Sequence, residues 1–217
     1  MAVVYTNGFT SLADFTTDEI TGSGGTRDIV SNQYRNVTTV TDGNCQRTIL
    51  GTGSFNGAEV KATIFFTTQA ATNSMSPQFH VRGSNDWAGG DTTSPTTCYK
   101  LIWVAGNIQM YRRSGGSTVQ LGSNVALALA TTTTYGMTIQ ATSNQISGRI
   151  WNASGAEPGT WDIGPITDNN VAGPGTVQFC LFGQAAIRDV RWDNLSIDDL
   201  TVAAGTPTVR PGRRVFA

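Results

Sequence analysis

Short runs in which apolar and polar residues alternate recur along this chain, and no other feature constrains its fold as strongly. The segment AEVKATIFFT, Ala58 to Thr67, alternates in this way and is rich in β-branched and aromatic residues, as strands are. The segment QFHVRG places Phe79 and Val81 on one face of a strand and leaves His80 and Arg82 for the other face. Such runs predict stacked sheets rather than a helix bundle.

Two hairpins extend the pattern. The runs YKLIWV and IQMYRR are separated by a short glycine-containing turn at 105–107, and YGMTIQAT and QISGRIWNA are joined at 143–144. The runs TVQFCLFG and VRWDNLSIDDL supply two final strands. The helix-like segment NVALALAT, 124–131, ends early at a run of threonines, so we interpret it as a strand or a loop. The sequence therefore predicts roughly ten or more short strands in an antiparallel sandwich or jelly roll.

Charge and hydropathy exclude several classes of partner. The formal net charge is −1, from 14 basic and 15 acidic residues, so no general attraction to nucleic acid or to an anionic membrane follows. No apolar stretch approaches the roughly 18 residues of a membrane-spanning helix. The start, MAVVYTNGFT, lacks the basic segment and apolar run of a signal peptide. We expect a soluble protein made in a cytoplasm, with no membrane insertion and no nucleic-acid partner.

The three cysteines, Cys45, Cys98 and Cys180, lie far apart and form no CxxC pair. Their odd number argues against a disulfide framework, and their spacing argues against a zinc site. Within VQFCLF, Cys180 is interpreted as a small buried apolar residue of a strand.

From Ala58 onward, the order of these segments resembles a concanavalin A-like, laminin-G-like jelly roll. The resemblance is carried by Arg82 at the end of its segment, by the W…EP…W stretch from 151 to 161, and by the pair Asp193 and Asn194 that opens the last strand. It extends over residues 28–200 and implies two stacked antiparallel sheets, one of them concave. We expect an all-β, antiparallel two-sheet jelly-roll sandwich over 1–202 and an extended C-terminal arm over 203–217.

Two tryptophans flank the loop SGAEPG. Alternation places Arg149 and Trp151 on one face of their strand. We expect Trp161 to pack back onto the sandwich as a structural anchor, because burying an aromatic ring gains about 1.5–3 kcal/mol. For Trp151 two interpretations stand, a structural anchor and a member of the open concave face.

Enzyme chemistry finds little support in the residues. Relatives on this fold that hydrolyse glycosides usually carry two catalytic carboxylates in a Glu-x-Asp-x-x-Glu motif on one strand. The three glutamates of this chain, Glu19, Glu59 and Glu157, do not form such a set. His80 is the only histidine, which rules out a histidine-based metal cluster. We therefore expect a protein that is not an enzyme.

A structural Ca²⁺ is the one metal ion that the resemblance suggests. Many jelly rolls of this type hold a structural Ca²⁺ beside the last strand, and the resemblance makes Asp193 the carboxylate that would bind it. The alternative is that Asp193 and Asn194 serve the bend into the segment LSI. No other cofactor is expected.

Aromatic rings and arginines on an open sheet face suit sugar recognition, since rings stack on apolar C–H faces and guanidinium groups donate to hydroxyls. If Phe79, Val81 and Ile150 face inward, His80, Arg82, Arg149 and Trp151 share one open side. The alternative is that the aromatic face of each strand fills the core. The candidate glycan-binding residues are His80, Arg82, Tyr99, Trp103, Tyr111, Arg149 and Trp151.

Unsecreted jelly rolls with a short terminal arm resemble bacteriophage virion proteins, either minor tail proteins or capsid decoration proteins. The resemblance implies a non-enzymatic virion component that forms a homo-oligomer, contacts other virion proteins and binds host-surface carbohydrate. The arm would dock on a neighbour through Arg210, Arg213, Arg214 and Phe216. Two alternatives stand, a free carbohydrate-binding module or lectin and a glycoside hydrolase of the same fold.

Overall fold

The structure, a computed structural model, describes residues 2–9, 15–21, 26–38, 44–50, 59–68, 75–84, 95–183 and 188–200. Within these ranges the chain forms fifteen β-strands and no helix, so no described segment is a helix capable of crossing a bilayer. The predicted all-β class is confirmed. The predicted arm, 203–217, with Arg210, Arg213, Arg214 and Phe216, lies outside the described residues.

All strand pairs are antiparallel, and the strands form two sheets. In chain order the strands are β1 (Ala2–Asn7), β2 (Phe15–Thr21), β3 (Thr26–Val30), β4 (Gln33–Thr38), β5 (Asn44–Leu50), β6 (Val60–Thr68), β7 (Met75–Gly83), β8 (Cys98–Val104), β9 (Asn107–Ser114), β10 (Ser117–Ala126), β11 (Thr134–Thr142), β12 (Gln145–Asn152), β13 (Ile163–Thr167), β14 (Thr176–Gly183) and β15 (Arg188–Asp199). Sheet A has the order β13-β12-β11-β6-β15-β4-β3, with β1 also paired to β15, and sheet B has the order β10-β9-β8-β7-β14-β5-β2. The chain passes between the two sheets eight times, at β1–β2, β2–β3, β4–β5, β5–β6, β6–β7, β10–β11, β13–β14 and β14–β15, as in a jelly-roll sandwich.

Both predicted hairpins are present. Strands β8 and β9 pair around Ala105 and Gly106, whose φ angles of 49° and 82° are the left-handed values that a two-residue hairpin turn requires. Strands β11 and β12 pair in register from Thr142 with Gln145 outward. In the segment 124–131, β10 ends at Ala126 and the next four residues have no regular secondary structure, so the prediction of a strand or loop is confirmed.

The inner faces of the two sheets enclose one apolar core. At its centre, the Trp192 ring of sheet A lies 5.0 Å from the Phe179 ring of sheet B and 5.8 Å from the Phe66 ring. The indole N–H of Trp192 donates to Asn36 Oδ1 at 2.7 Å, so the buried polar atom is satisfied. Alternate residues of each strand point away from this core and form the two outer faces of the sandwich.

Cys180 corrects the interpretation of the cysteines. It is buried in β14, as expected, but it takes part in a disulfide. Its register partner Gln78 and its absence from the apolar core place it on the outer face of sheet B. The odd number of cysteines therefore did not indicate a chain without a disulfide.

Candidate functional site

A row of polar side chains crosses the outer face of sheet B. Strand pairing places Gln178 opposite His80, His80 opposite Lys100, Lys100 opposite Tyr111, and Tyr111 opposite Gln120. The row exists because β7 alternates strictly in this stretch: Phe79 and Val81 point into the core, so His80 points outward.

Solvent reaches this row from one side. Gln178 and His80 are fully buried and Lys100 is 6% exposed, although all three point away from the sandwich core. Tyr111 is partly exposed and Gln120 is exposed, so the row opens toward β9 and β10. A ligand that reaches the row without displacing protein therefore meets β9 and β10 first.

The open end of the row is lined by an aromatic ring, amide groups and an ammonium group. The Nζ atom of Lys100 lies 5.5 Å from the centre of the Tyr111 ring, and the Tyr111 hydroxyl donates to Gln109 Oε1 at 2.6 Å. The amide of Gln120 donates to Asn124 Oδ1 at 2.7 Å. We call these five residues, Lys100, Gln109, Tyr111, Gln120 and Asn124, the tyrosine–amide patch. Burial raises the pKa of Tyr111, so its hydroxyl stays protonated and able to donate at neutral pH.

Tyr99 and Trp103 share one strand face, as expected, but that face is the core face. Tyr99 is fully buried and donates its hydroxyl to Asp168 Oδ1 at 2.8 Å. Burial and this hydrogen bond raise the pKa of Tyr99 to about 12. Trp103 is 2% exposed and donates its indole N–H to the carbonyl of Leu127 at 2.7 Å. The alternative that aromatic side chains fill the core applies to both residues.

Arg82 leaves the face of His80 because β7 contains a bulge. Its φ of 52° and a register shift opposite β14 break the alternation after Val81. The guanidinium lies 5.8 Å from the centre of the Tyr99 ring and donates to the carbonyls of Val171 and Ser143, each at 3.0 Å. Burial lowers the pKa of Arg82, but its hydrogen bonds are directed to loops of the protein itself.

Arg149 lies on the outer face of sheet A and holds the loop 153–162. Its guanidinium binds the carboxylate of Glu157 and the carbonyl of Pro158. The Trp161 ring stacks on the same group, with 4.1 Å between the guanidinium carbon and the ring centre. The predicted role of Trp161 as a structural anchor fits this contact.

The loop is tied down by further contacts of the same carboxylate. Glu157 also accepts from Lys61 at 3.3 Å and from the hydroxyl of Thr138 at 3.3 Å. Burial alone would raise the pKa of Glu157, but the hydrogen bonds and charges of Arg149 and Lys61 outweigh it and hold the pKa below its usual range.

Trp151 also lies on the outer face of sheet A, where its side chain is packed against neighbouring residues of the same sheet. It is 8% exposed, its ring meets that of Phe65 edge-on at 5.9 Å, and it lies directly over Gly136. The expectation that His80, Arg82, Arg149 and Trp151 share one open side is therefore wrong. His80 lies on the outer face of sheet B, and Arg82 lies at an end of the sandwich. Arg149 and Trp151 lie on the outer face of sheet A.

Asp193 supports the backbone where β15 bulges. Its Oδ1 accepts the backbone N–H of Asn194 at 2.8 Å, and Asn194 has a φ of 49°. Its Oδ2 accepts from the amide of Gln33 at 3.4 Å. Among the described residues no three His, Cys, Asp or Glu side chains converge as metal ligands. The described contacts fit the bend, and the structural Ca²⁺ stays a prediction.

Sequence reasoning included Tyr111 but missed the rest of the patch. Gln109 and Tyr111 occupy alternate positions of IQMYRR, so the signal for a polar outward face was present in the sequence. Gln120 and Asn124 could be added only when the pairing of β9 with β10 was known.

No described protein family and no curated protein matches this sequence. Solved structures match its fold. The carbohydrate-binding module CBM66 from Bacillus subtilis has a TM-score of 0.59 at 9% identity, covering 82% of this chain and 94% of that one. The VIP36 exoplasmic/lumenal domain, bound to Ca²⁺ and Man3GlcNAc, has a TM-score of 0.66 at 9% identity, with 94% and 91% covered.

An endo-β-1,4-glucuronan lyase from the fungus Trichoderma reesei also shares the fold, with a TM-score of 0.56, 16% identity, and 90% of this chain and 95% of that one covered. Such low identities establish the fold alone. The predicted two-sheet jelly-roll sandwich is thereby confirmed, and the fold occurs in both binding and catalytic proteins that act on carbohydrates.

Proposed function

We propose that this chain is a non-catalytic carbohydrate-binding domain whose ligand lies on the tyrosine–amide patch. One observation carries the proposal: the outer face of sheet B is polar and closed over β14 and β7, and it opens at an aromatic ring flanked by amide groups. The fold shared with CBM66 and VIP36 supports it.

The chemistry of the patch suits a sugar ring. The partly exposed Tyr111 ring offers a flat apolar surface for the C–H face of a pyranose. Gln109, Gln120 and Asn124 carry both donors and acceptors, which match hydroxyl groups that act as both. The hydrogen bond from Tyr111 to Gln109 and the one from Gln120 to Asn124 hold these amides in place before a ligand arrives, which lowers the entropic cost of binding.

The opposite face of the sandwich is a weaker candidate. Arg149 and Trp151, which the sequence placed on a binding surface, are occupied by Glu157, Trp161 and Phe65. A ligand on sheet A would have to displace the loop 153–162, whereas the patch on sheet B needs no such displacement.

The distribution of carboxylates on the described strands supports binding without catalysis. The strands β7, β8, β9, β10 and β14, which surround the patch, contain no Asp or Glu. A hydrolytic pair flanking a sugar on this face would need two carboxylates. The glucuronan lyase shows that catalysis occurs on this fold, so a test of the proposal has to include cleavage of the bound saccharide.

The assignment to a bacteriophage virion, with its oligomer and its virion partners, stays a prediction of the sequence. None of the solved structures described above is named as a virion protein, and the residues of the proposed docking arm lie outside the described ranges.

The test begins with a glycan array and continues with calorimetry on the ligand found. Replacing Tyr111→Ala removes the stacking surface and is expected to weaken binding roughly three- to tenfold. Gln120→Ala removes one amide and is expected to weaken it about fivefold. Trp161→Ala, an aromatic replacement on the opposite sheet, should leave affinity unchanged.

Two results would contradict the proposal. If no glycan on the array binds, or if the patch variants bind as well as the unaltered protein, the assignment of a carbohydrate-binding site to the patch is wrong. If prolonged incubation with the ligand gives shortened or unsaturated products, the protein cleaves its ligand, and the proposal that it is non-catalytic is wrong.

A further inference from the structure

Of the four strands that end the two sheet orders, β10 alone lacks the features that block pairing with another chain. The orders end at β13 and β3 in sheet A and at β10 and β2 in sheet B. Charged residues, proline and short length keep an edge strand from accepting a further strand. Strands β2 and β3 each contain two charged residues, and β13 has five residues and contains Pro165. The ten residues of β10 include no charge and no proline, so this edge is open to a further strand.

The turn before β10 determines which of its backbone groups point outward. Gly115 and Gly116 join β9 to β10 with φ angles of 57° and 84°, the values of a type I′ turn. The two residues that flank such a turn exchange hydrogen bonds, and from Ser117 onward every second residue of β10 then bonds to β9. Thr118 and Gln120 therefore direct their backbone N–H and C=O groups away from β9. No other described strand pairs with this side of β10.

Between these two residues the edge carries an exposed apolar side chain. Val119 is 43% exposed, more than any other large apolar side chain of the described ranges. At the next outward position the edge is already in use, because the carbonyl of Gly122 accepts from the side-chain amide of Gln120 at 3.2 Å. A Cβ on Gly122 would also lie 2.9 Å from Ile166 of β13. The edge available for pairing is thus 117–121, with Val119 at its centre.

We propose that the segment 117–121 binds a second copy of this chain, with the two β10 strands paired antiparallel about a two-fold axis at Val119. Such an axis places each Val119 opposite its own copy and each Thr118 opposite Gln120 of the partner subunit. The outward N–H and C=O groups then meet in mutually hydrogen-bonded pairs. The two valines form a pair without hydrogen bonds between them, with Cα atoms about 4.5 Å apart.

A second copy fits this edge because the edge is complementary to itself. The segment STVQL is uncharged, so the two-fold axis brings no like charges opposite each other. The outward groups of Thr118 match those of Gln120, so every donor on the axis meets an acceptor. The exposed Val119 side chain is removed from water by its own copy. A strand from a different protein would leave the purified chain monomeric.

This pairing joins two B sheets into one and brings two tyrosine–amide patches onto the same face. Tyr111 is opposite Gln120, one strand from the axis, so the two Tyr111 side chains are three strand spacings apart and offset by two residues. That separation is about 16 Å. The pairing itself does not depend on the proposed function. Its consequence for binding does: one saccharide chain that contacts both patches binds more tightly than either patch alone would allow.

The first experiment measures self-association of the full chain by sedimentation equilibrium. The paired segment is short, so we expect a weak dimer with a dissociation constant of roughly 10–100 μM. Val119→Lys places two ammonium groups opposite each other on the axis and is expected to raise this constant about tenfold or more. Ala156→Lys adds the same charge at an exposed residue of the loop 153–162, on the opposite sheet, and should leave the constant unchanged. Circular dichroism and a melting curve establish that each variant is folded.

The second experiment locates the axis by cross-linking. In Val119→Cys the two introduced cysteines have Cα atoms about 4.5 Å apart, within the range of a disulfide. In Thr118→Cys the same separation is about 8 Å, which is beyond that range. After mild oxidation we expect a disulfide-linked dimer on a non-reducing gel from Val119→Cys and little from Thr118→Cys or the unaltered chain. If Val119→Lys is not folded, this pair of variants tests the proposal in its place.

Three results would overturn the pairing. The first is a chain that stays monomeric at roughly 1 mM, about ten times the weakest dissociation constant expected. The second is a dimer that a folded Val119→Lys variant leaves intact. The third is a Thr118→Cys chain that cross-links as readily as Val119→Cys, because the axis would then not lie at Val119. A dimer that binds no saccharide contradicts the proposed function and leaves the pairing in place.

Discussion

At the residue scale, two glycines determine where large side chains lie. A Cβ on Gly136 would be 2.2 Å from the Trp151 ring, and a Cβ on Gly148 would be 2.6 Å from Leu101 Cδ1. Gly136 thus lets the indole lie flat on the outer face of sheet A, and Gly148 lets Leu101 of sheet B approach sheet A in the core. Neither glycine is needed for a turn, so their role is close packing.

Gly136→Ala is expected to destabilise the protein by about 1–3 kcal/mol, because the new methyl group and the Trp151 ring occupy the same space. Urea unfolding measures the loss. Gly159→Ala is the matched control, since a Cβ there meets no atom within 4 Å, and it should be neutral within about 0.5 kcal/mol. A variant at 136 as stable as the control would show that Trp151 has another position available.

At the scale of elements, the sequence predicted what depends on local alternation and missed what depends on irregularity. The runs around Phe79, the two hairpins and the strand at Cys180 were recognisable because polar and apolar residues alternate there. The bulge at Arg82 was not recognisable, because only the pairing with β14 shows that the period of two is interrupted after Val81.

The same limit explains the candidate site. Tyr111 was identified because aromatic residues stand out in a sequence, whereas Gln120 joins it only through cross-strand pairing. Arg149 and Trp151 were correctly placed on one strand face, but the loop 153–162 that covers Arg149 folds back through contacts of Glu157 with three different strands and cannot be read from alternation.

The β8–β9 hairpin offers a stabilising change at this scale. Ala105 has a φ of 49°, which costs an alanine about 1 kcal/mol and is tolerated by asparagine. Ala105→Asn creates the Asn-Gly turn and should raise the free energy of unfolding by roughly 0.5–1 kcal/mol, seen as a higher melting temperature. Ala128→Asn, at an exposed residue without a positive φ, is the control and should have little effect. A lower melting temperature for Ala105→Asn would contradict the expected turn.

At the scale of the whole molecule, polar contacts close one end of the sandwich. Asp168 follows the last residue of β13 in sheet A, and its carboxylate accepts from Tyr99 of β8 and from Arg112 of β9, both in sheet B. Arg82 of β7 adds two hydrogen bonds to loop carbonyls, one of them in the β11–β12 turn of sheet A. The two sheets are thus joined at this end by a buried carboxylate and an arginine.

Stability should therefore depend on pH through Asp168. Burial alone would raise its pKa, but the backbone N–H of Asn170 and the side chains of Tyr99, Asn170 and Arg112 outweigh burial and hold the pKa below its usual range. The contribution of Asp168 is complete above the pKa of an unfolded aspartate, about 3.9, and is lost as pH falls through the lower folded value.

Asp168→Asn is expected to cost about 2–4 kcal/mol at pH 7, because Arg112 loses its buried partner, and the cost should shrink toward pH 2. Urea unfolding at several pH values measures both numbers. Glu59→Gln changes an exposed hydrogen bond to Ser143 and should stay within about 0.5 kcal/mol at pH 7. A cost for Asp168→Asn that is the same at pH 7 and at pH 2 would contradict the role of the carboxylate charge.

The stacking of Trp161 on Arg149 makes tryptophan fluorescence a possible reporter of the loop 153–162. Among the described tryptophans it is the one with intermediate exposure, and it lies on the sheet opposite the tyrosine–amide patch. Because the Arg149 guanidinium lies 4.1 Å from the ring centre, we expect the emission of Trp161 to change when the loop 153–162 detaches. Occupation of the patch on the opposite sheet should leave this emission unchanged, so a change in it would indicate movement of the loop rather than binding at the patch.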